Sequence, residues 1–382
     1  MLRKKLLVLL KPMTIYPPKL ADGFSRIRNP LRKNLGFSNL SALGFLFGGR
    51  YETMSQLHRR DWTFSVRNIV STSFNFSDIP MASLGCQYPW IDIFREKTVL
   101  QFLNHLDSRV KVHKEAVKFC EDILRRKSID WVPVLRDSVS EPICDVDMVI
   151  TIGGDGTILH ASHFVDDTIP LLGVNSDPTQ DEEVEKFNDS FDASRSTGYL
   201  CAATVSNFEQ VLDDILEGCK EPHELSRVGI RVNNHILSKC GLNDILISHP
   251  CPASVSRFSF KIMACGEPIS PMVNSRSSGL RVSSAAGSTA AMLSAGGFQM
   301  SVSSQDLQYM VREPILSRAS NASLMHGFIK SGQSMHVTWY NEDGIIYIDG
   351  SHVKHSVRHG DTIEISCKAP PLKVFLRQPS LA

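Results

Sequence analysis

The residues best placed to do chemistry are Gly153-Gly154-Asp155-Gly156-Thr157, which directly follow the apolar run Asp147-Met148-Val149-Ile150-Thr151-Ile152. Glycine lets a backbone turn with positive φ and brings N–H groups up to an anion with no Cβ in the way. A helix starting there would aim its positive end at the same point. Such a loop suits a triphosphate, with Gly153, Gly154, Gly156 and Thr157 as candidate phosphate ligands. An acid inside a phosphate cradle is unfavourable unless it takes a proton from an attacking hydroxyl or helps to hold Mg2+. That makes Asp155 the candidate catalytic residue; the plainer alternative is a tight strand-to-helix turn with Asp155 as N-cap.

Elements that could carry this loop are legible around it. A strand is expected at Lys5–Lys11, and a helix at Val99–Arg126 from the spacing of Phe102, Leu103, Leu106, Val110, Val117, Phe119, Ile123 and Leu124. A short strand follows at Trp131–Leu135, then the buried run ending at Gly153, a helix over Thr157–Phe164 and another buried strand at Pro170–Val174. Alternating strands and helices imply a doubly wound, Rossmann-like parallel sheet. Beyond residue 194 a helix at Phe208–Leu216 leads into short alternating strands at 226–232, 242–248, 256–262, 280–283, 335–340, 345–349, 362–366 and 372–376. Asn233-Asn234, Asp343-Gly344 and His359-Gly360-Asp361 supply turns between them, and this half reads as all-β. The expected organisation is an α/β domain over 1–30 and 98–194, an irregular, poorly packed insertion over 31–97, and a β-rich domain over 195–382.

Composition narrows the partners. The 382 residues suffice for two domains with their own cores, and 42% hydrophobic with 21% charged residues is globular. A net charge of +1 gives no global field for nucleic acid or a membrane surface. None of the nine cysteines has C-x-x-C spacing, so reduced intracellular thiols are expected. His160 and His163 share a helical face but lack a third ligand nearby in sequence, and no metal site is assigned. Leu6–Leu10 is too short an apolar run for a signal core or membrane span. Ser380-Leu381-Ala382 lacks the basic middle residue and terminal Leu of a peroxisomal address.

The Gly-Gly-Asp-Gly-Thr segment resembles a signature shared by NAD kinases and by diacylglycerol- and sphingosine-type lipid kinases, with a relative in phosphofructokinases. Three further segments, in order, resemble NAD kinases alone: Leu172-Gly173-Val174-Asn175, Leu242-Asn243-Asp244-Ile245, and Gly287-Ser288-Thr289-Ala290 followed by Leu293-Ser294-Ala295-Gly296-Gly297. The likeness covers 1–30 and 98–382. Lys5–Pro12, Val112-His113-Lys114, Ala161–Phe164, Asn175–Gln180 and Arg257–Lys261 look closer still to plant NADH kinases. The resemblance implies a second domain of the NAD kinase β-sandwich type. It also implies ATP with Mg2+ on its phosphates, NADH preferred over NAD+ as acceptor, a homodimer, and a cytoplasmic or alternatively peroxisomal setting.

Carried residue by residue, the resemblance gives Asp155 the adenosine-ribose 2′-hydroxyl to orient or deprotonate. Phosphoryl transfer needs mostly positioning and charge neutralisation. Asn243 and Asp244 resemble the pair that holds the nicotinamide-side ribose, where an amide and a carboxylate can grip both hydroxyls; a strand-entry Asx turn is the bland alternative. Asn175 resembles an adenine-side residue, or else is an ordinary turn residue. Gly287, Ser288, Thr289 and Ala290 would let the dinucleotide lie against backbone, Thr289 and Ala290 touching adenine; alternatively they open a helix capped by Ser284 or Ser288. Asp349-Gly350 is equally a hairpin turn and is given no role.

Departures from the family carry information too. Ser278 stands where most NAD kinases have an acid near the nicotinamide carboxamide, and a neutral residue there should relax or reverse selection toward uncharged NADH. Ser284-Ala285-Ala286 replaces Thr-Pro-Thr, and Ala291 replaces a tyrosine, removing contact surface around the dinucleotide. Arg195, Arg276 and Arg281 are the basic candidates for ATP. The rival readings are a lipid kinase, which would need a membrane-docking surface, and a catalytically silent dinucleotide-binding protein.

Overall fold

The computed structural model describes residues 4–12, 89–127, 129–316 and 322–377, with side chains from residue 101 onward in the first helix. Most of the stretch read as an insertion, and the C-terminal tripeptide, lie outside the described residues. The end of that stretch is helical: the helix α1 spans Pro89–Arg126, ten residues earlier than the apolar spacing indicates. Proline at the first helical position fits, since its missing N–H is one of the orphan donors there.

Four parallel strands run inward from one edge of the first sheet: β1 (Lys5–Leu10), β2 (Asp130–Leu135), β3 (Met148–Gly153) and β4 (Leu171–Asn175), in the order β2-β1-β3-β4 with β2 outermost. All residues of β3 and β4 are buried, as expected for strands covered on both faces. Alternation divides their side chains. Leu6, Val8, Ile150, Ile152, Leu172 and Val174 meet Val117, Cys120, Ile123 and Leu124 of α1 and Phe208, Val211, Leu212 and Ile215 of the helix Phe208–Leu216. Leu9, Val149 and Leu171 face the other way, onto Ile158 and Ala161 of α2 (Asp155–Ser162). Helices on both faces make the sheet doubly wound. Phe119, counted with the apolar face of α1, is 45% exposed; Ala116 and Cys120 take the buried positions beside it.

The strand at Leu372–Phe375 corrects the domain grouping. It pairs parallel with β4 and antiparallel with His223–Leu225, so the last strand among the described residues lies within the first sheet instead of joining the sandwich. Periodicity identifies a strand but not the sheet it enters.

Between these points the chain builds two antiparallel sheets. One runs Glu267–Pro268, Ser256–Ala264, Gln333–Trp339, Thr362–Ser366, Gly229–Val232, His235–Ile236, with Val273–Ser277 also on Ser256–Ala264. The other runs His326–Ile329, Leu307–Arg312, Gly279–Ser283, Asp244–Ser248, Asp343–Ile348, Val353–Arg358. Phe258, Phe260, Trp339 and Ile363 of the first meet Ile245, Ile247, Leu280 and Ile346 of the second in one buried cluster, which makes a β-sandwich.

The chain divides into two compact units. Residues 1–11, 115–180 and 194–382 form one unit, holding the parallel sheet and the sandwich together. Of the described residues, 12, 89–114 and 181–193 belong to the other. Within it Phe187 stacks on Phe191 at 4.7 Å, Phe102 meets Phe191 edge-on, and Glu183 lies 3.6 Å from Arg109.

Candidate active site

The loop after β3 sits at the carboxyl ends of the parallel strands, where Gly153 pairs in register with Asn175 of β4. The positive φ expected of its glycines is not used, since none of Gly153, Gly154 or Gly156 has it. Space requires them instead. A Cβ on Gly153 would lie 2.2 Å from Thr157 Oγ1, and one on Gly154 would lie 2.4 Å from Ser196 Cβ. Thr157 is 1% exposed and its N–H donates to Gly154 O at 2.8 Å, so it braces the turn from beneath and its hydroxyl is not presented outward. Gly156 is exposed, and a Cβ there would meet nothing within 4 Å. Gly156→Ala should therefore leave thermal stability within about 1 kcal/mol of wild type. Any rise in the KM for ATP in that variant would then report an anion lying against this backbone; an unchanged KM would remove Gly156 from the site.

Asp155 opens α2 and is gripped by the segment 196–201. Its Oδ2 accepts the Tyr199 N–H at 3.0 Å and its Oδ1 the Leu200 N–H at 2.9 Å. The Ser196 and Thr197 hydroxyls stand at 3.4 Å from Oδ2, and the Asp155 N–H donates to Ser196 Oγ at 3.0 Å. The N-cap of α2 is Gly154, in extended conformation and without a side-chain capping bond, so Asp155 is not the cap. Asn175 braces the same segment: it is 3% exposed, and its Nδ2 donates to Ser196 O at 3.1 Å. Gly198, at φ +67°, packs so closely that a Cβ would fall 2.4 Å from Asn175 Nδ2. Asn175 thus reaches Asp155 through the loop, a role its sequence neighbours did not suggest.

The second cluster is a turn at 242–244. Asp349 receives three backbone N–H groups there, from Leu242 and Asn243 at 2.7 Å and Asp244 at 3.1 Å. Asn243 Oδ1 is buried without a hydrogen-bond partner, an acceptor left for something else. Asp244 pairs with Arg281 on the neighbouring strand. Burial pushes the Asp244 carboxyl above its ordinary value, and the Arg281 guanidinium opposes that. Gly287 lies directly against this turn, where a Cβ would fall 2.1 Å from Asn243 O. Ser284 donates its hydroxyl to Leu242 O and receives the Gly287 N–H at 3.4 Å, while its own N–H donates to Asn243 O at 2.9 Å. Ser288 is fully buried, donating to Ala285 O and accepting the Met300 N–H, so it neither caps a helix nor faces outward. Thr289 and Ala290 are half-buried.

One apolar cluster joins both groups. Ile158 and Ala161 of α2 and Leu200 behind Asp155 share it with Leu242 and Ala286, the residues just before Asn243 and Gly287. The Asp155 loop, the 242–244 turn and the 287–290 box are therefore built on a common core. Ser278, half-buried, donates its hydroxyl to Glu313, so the acid absent at 278 has a counterpart from an adjoining strand end. Of the basic candidates, Arg195 pairs with Asp177 at 3.1 Å, Arg281 is held by Asp244, and Arg276 is exposed. Sequence reasoning passed over Tyr199, Ser196 and Asp349. Only Asp349 carried a signal, as an Asp-Gly pair at a strand end.

Residues 93–177 match the family model of the ATP-NAD kinase N-terminal domain. The chain is 63% identical over 277 residues to an NADH kinase of Arabidopsis thaliana, covering 72% of this chain and 87% of that one. It is 59% identical over 274 residues to a rice (Oryza sativa subsp. japonica) protein described as a probable NADH kinase, covering 72% and 84%. Two solved structures share the fold. The NAD kinase of Archaeoglobus fulgidus in complex with ATP has a TM-score of 0.52 at 21% identity, over 69% of this chain and 90% of that one. Yeast NADH kinase complexed with NADH has a TM-score of 0.54 at 15% identity, over 70% and 80%. Kinship this deep with the two plant proteins, over most of their length, places the Gly-Gly-Asp loop in its lineage: the chain belongs to the NAD kinase family.

Proposed function

We propose that this protein transfers the γ-phosphoryl group of ATP to the 2′-hydroxyl of the adenosine ribose of NADH, and less well of NAD+. The observation that carries the reading is the Asp155 carboxylate fixed by two backbone N–H groups on the same core as the 242–244 turn. In this reading Asp155 orients the hydroxyl and takes its proton, while the open face of Gly156 lets the triphosphate approach the backbone of a loop that Gly153 and Gly154 allow to pack tightly. The buried, unpartnered Asn243 Oδ1 accepts one ribose hydroxyl of the nicotinamide side, and the Asp244 carboxylate, steadied by Arg281, accepts the other. The 287–290 backbone backs the dinucleotide.

Mg2+ would arrive on the ATP phosphates and supply charge neutralisation there. Among the described residues no three His, Cys, Asp or Glu side chains converge as a metal site. No helix among them is long and apolar enough to cross a membrane. The kinship leads us to propose a homodimer working in the cytosol, with the peroxisome as the second compartment.

The test is NADPH formation from ATP, Mg2+ and NADH, run beside NAD+ and diacylglycerol vesicles. Turnover with lipid alone, or NADH binding without NADPH, would overturn the reading. Ser278 bears on the choice of dinucleotide. Its partner Glu313 has a side chain 71% exposed, so water screens that carboxylate and the serine remains the locally neutral element. Ser278→Asp should shift the NADH:NAD+ ratio of kcat/KM toward NAD+ by about tenfold, ~1.4 kcal/mol of added attraction for the oxidised ring. Glu313→Gln should move it little. An unchanged ratio in Ser278→Asp would refute the assignment.

A further inference from the structure

The helix that opens on Asp155 ends against the second domain. Arg227 Nη1 donates to Ser162 O at 3.2 Å and Val165 O at 3.3 Å, and Lys239 Nζ to His163 O at 2.6 Å. These cations hold the carbonyls that the helix end leaves unsatisfied and suit its negative pole. His163, the C-cap, has a side chain 5% exposed, and its Nε2 lies 3.6 Å from Oδ2 of Asp349. That separation is contact and not a hydrogen bond. The Asp349 side chain is fully enclosed, its backbone adopts a left-handed φ of 49°, and both carboxylate oxygens accept the N–H groups of Leu242, Asn243 and Asp244. Non-glycine residues in that conformation persist only where the surroundings hold them.

We propose that Asp349 is a positioning residue for the phosphoryl transfer. It fixes the 242–244 turn that holds one ribose, and its contact with His163 sets that turn's distance from Asp155, one helix length away on α2. The eight residues of α2 span roughly 12 Å and act as the rigid spacer. Asp349 touches no substrate. The inference rests on the ribose-holding and proton-accepting roles given above to Asn243, Asp244 and Asp155.

Charge is not what couples the two ends. Burial raises the Asp349 carboxyl while its three N–H donors favour the ionised form, and burial lowers His163 to about 4, aided by Lys239. At neutral pH the imidazole is therefore neutral, and the contact works by shape and by the acceptor geometry of Asp349. Arg227, Cys240 and Asp244 are the other titratable groups whose fields reach this carboxyl.

Asp349→Asn replaces one acceptor by an NH2 group that faces a backbone donor, whereas His163→Gln keeps the turn but removes the contact with α2. Steady-state kinetics with NADH and Mg-ATP, NADH calorimetry and circular dichroism should be run on wild type and both variants. Asp349→Asn should raise the KM for NADH by about tenfold or more with the KM for ATP within about twofold. His163→Gln should lower kcat by about fivefold with NADH affinity within about twofold. Folded variants with wild-type constants, or an Asp349→Asn that weakens ATP and NADH equally, would overturn the proposal. If Asp349→Asn does not fold, an unchanged kcat in His163→Gln overturns it alone. A wild type that forms no NADPH is a separate result, which would overturn the functional reading instead.

Discussion

Asp155→Asn is expected to lower kcat by about 10²–10⁴-fold, the range lost when a positioned general base is removed. The amide keeps nearly the same volume and one oxygen acceptor. It also turns an NH2 toward either the Tyr199 or the Leu200 N–H, both of which now donate to the carboxylate. If the unmatched donor is the N–H of buried Leu200 the cost is about 1–3 kcal/mol, and less for exposed Tyr199, so a modest fall in stability should accompany the kinetic loss. Calorimetry separates the two effects. The 242–244 turn does not depend on this carboxylate, so NADH should still bind; normal turnover in Asp155→Asn would remove Asp155 from the mechanism.

The second large effect is expected from Gly287→Ala. The added methyl would meet Asn243 backbone, with O at 2.1 Å, C at 2.4 Å and Cα at 2.6 Å, and not the movable end of a side chain. Either the 286–289 turn or the 242–244 turn must shift, and Ser284 ties them together by two hydrogen bonds to the latter. Overpacking of this kind costs about 1–3 kcal/mol. Because Asn243 and Asp244 move with it, NADH affinity should fall by about tenfold or more while ATP affinity changes little. Wild-type NADH affinity in a stable Gly287→Ala would show that the box and the turn do not act together.

Much of this arrangement was legible because the residues concerned obey strong local rules. The buried run into Gly153 announced a parallel strand ending at a loop, and small residues at 287–290 announced close backbone approach. The same sequence misled where the physics is non-local. Glycines at 153 and 154 suggested positive φ but serve close packing against Thr157 and Ser196. Leu372–Phe375 looked like one more strand of the sandwich, and only its pairing with Leu171 and Leu172 assigns it to the first sheet. Val273–Ser277 was missed because Asn274, Ser275, Arg276 and Ser277 carry little apolar alternation, although Val273, Ser275 and Ser277 point inward. Asp349 was passed over as a hairpin turn, since nothing in its neighbours foretells three N–H donors from residues about a hundred positions away. The hold of Asn175 on Ser196, and of Ser196 on Asp155, was opaque for the same reason: it lies in a loop that returns to Asp155 after a chain excursion.

The destination of the phosphate decides between a dinucleotide kinase and its rivals. Incubating the protein with γ-labelled ATP, Mg2+ and NADH, then locating the label in the dinucleotide, should place it on the adenosine-ribose 2′-oxygen at a rate that collapses in Asp155→Asn. Label on another oxygen, label only in lipid, or transfer that proceeds undiminished without the Asp155 carboxylate would contradict the account.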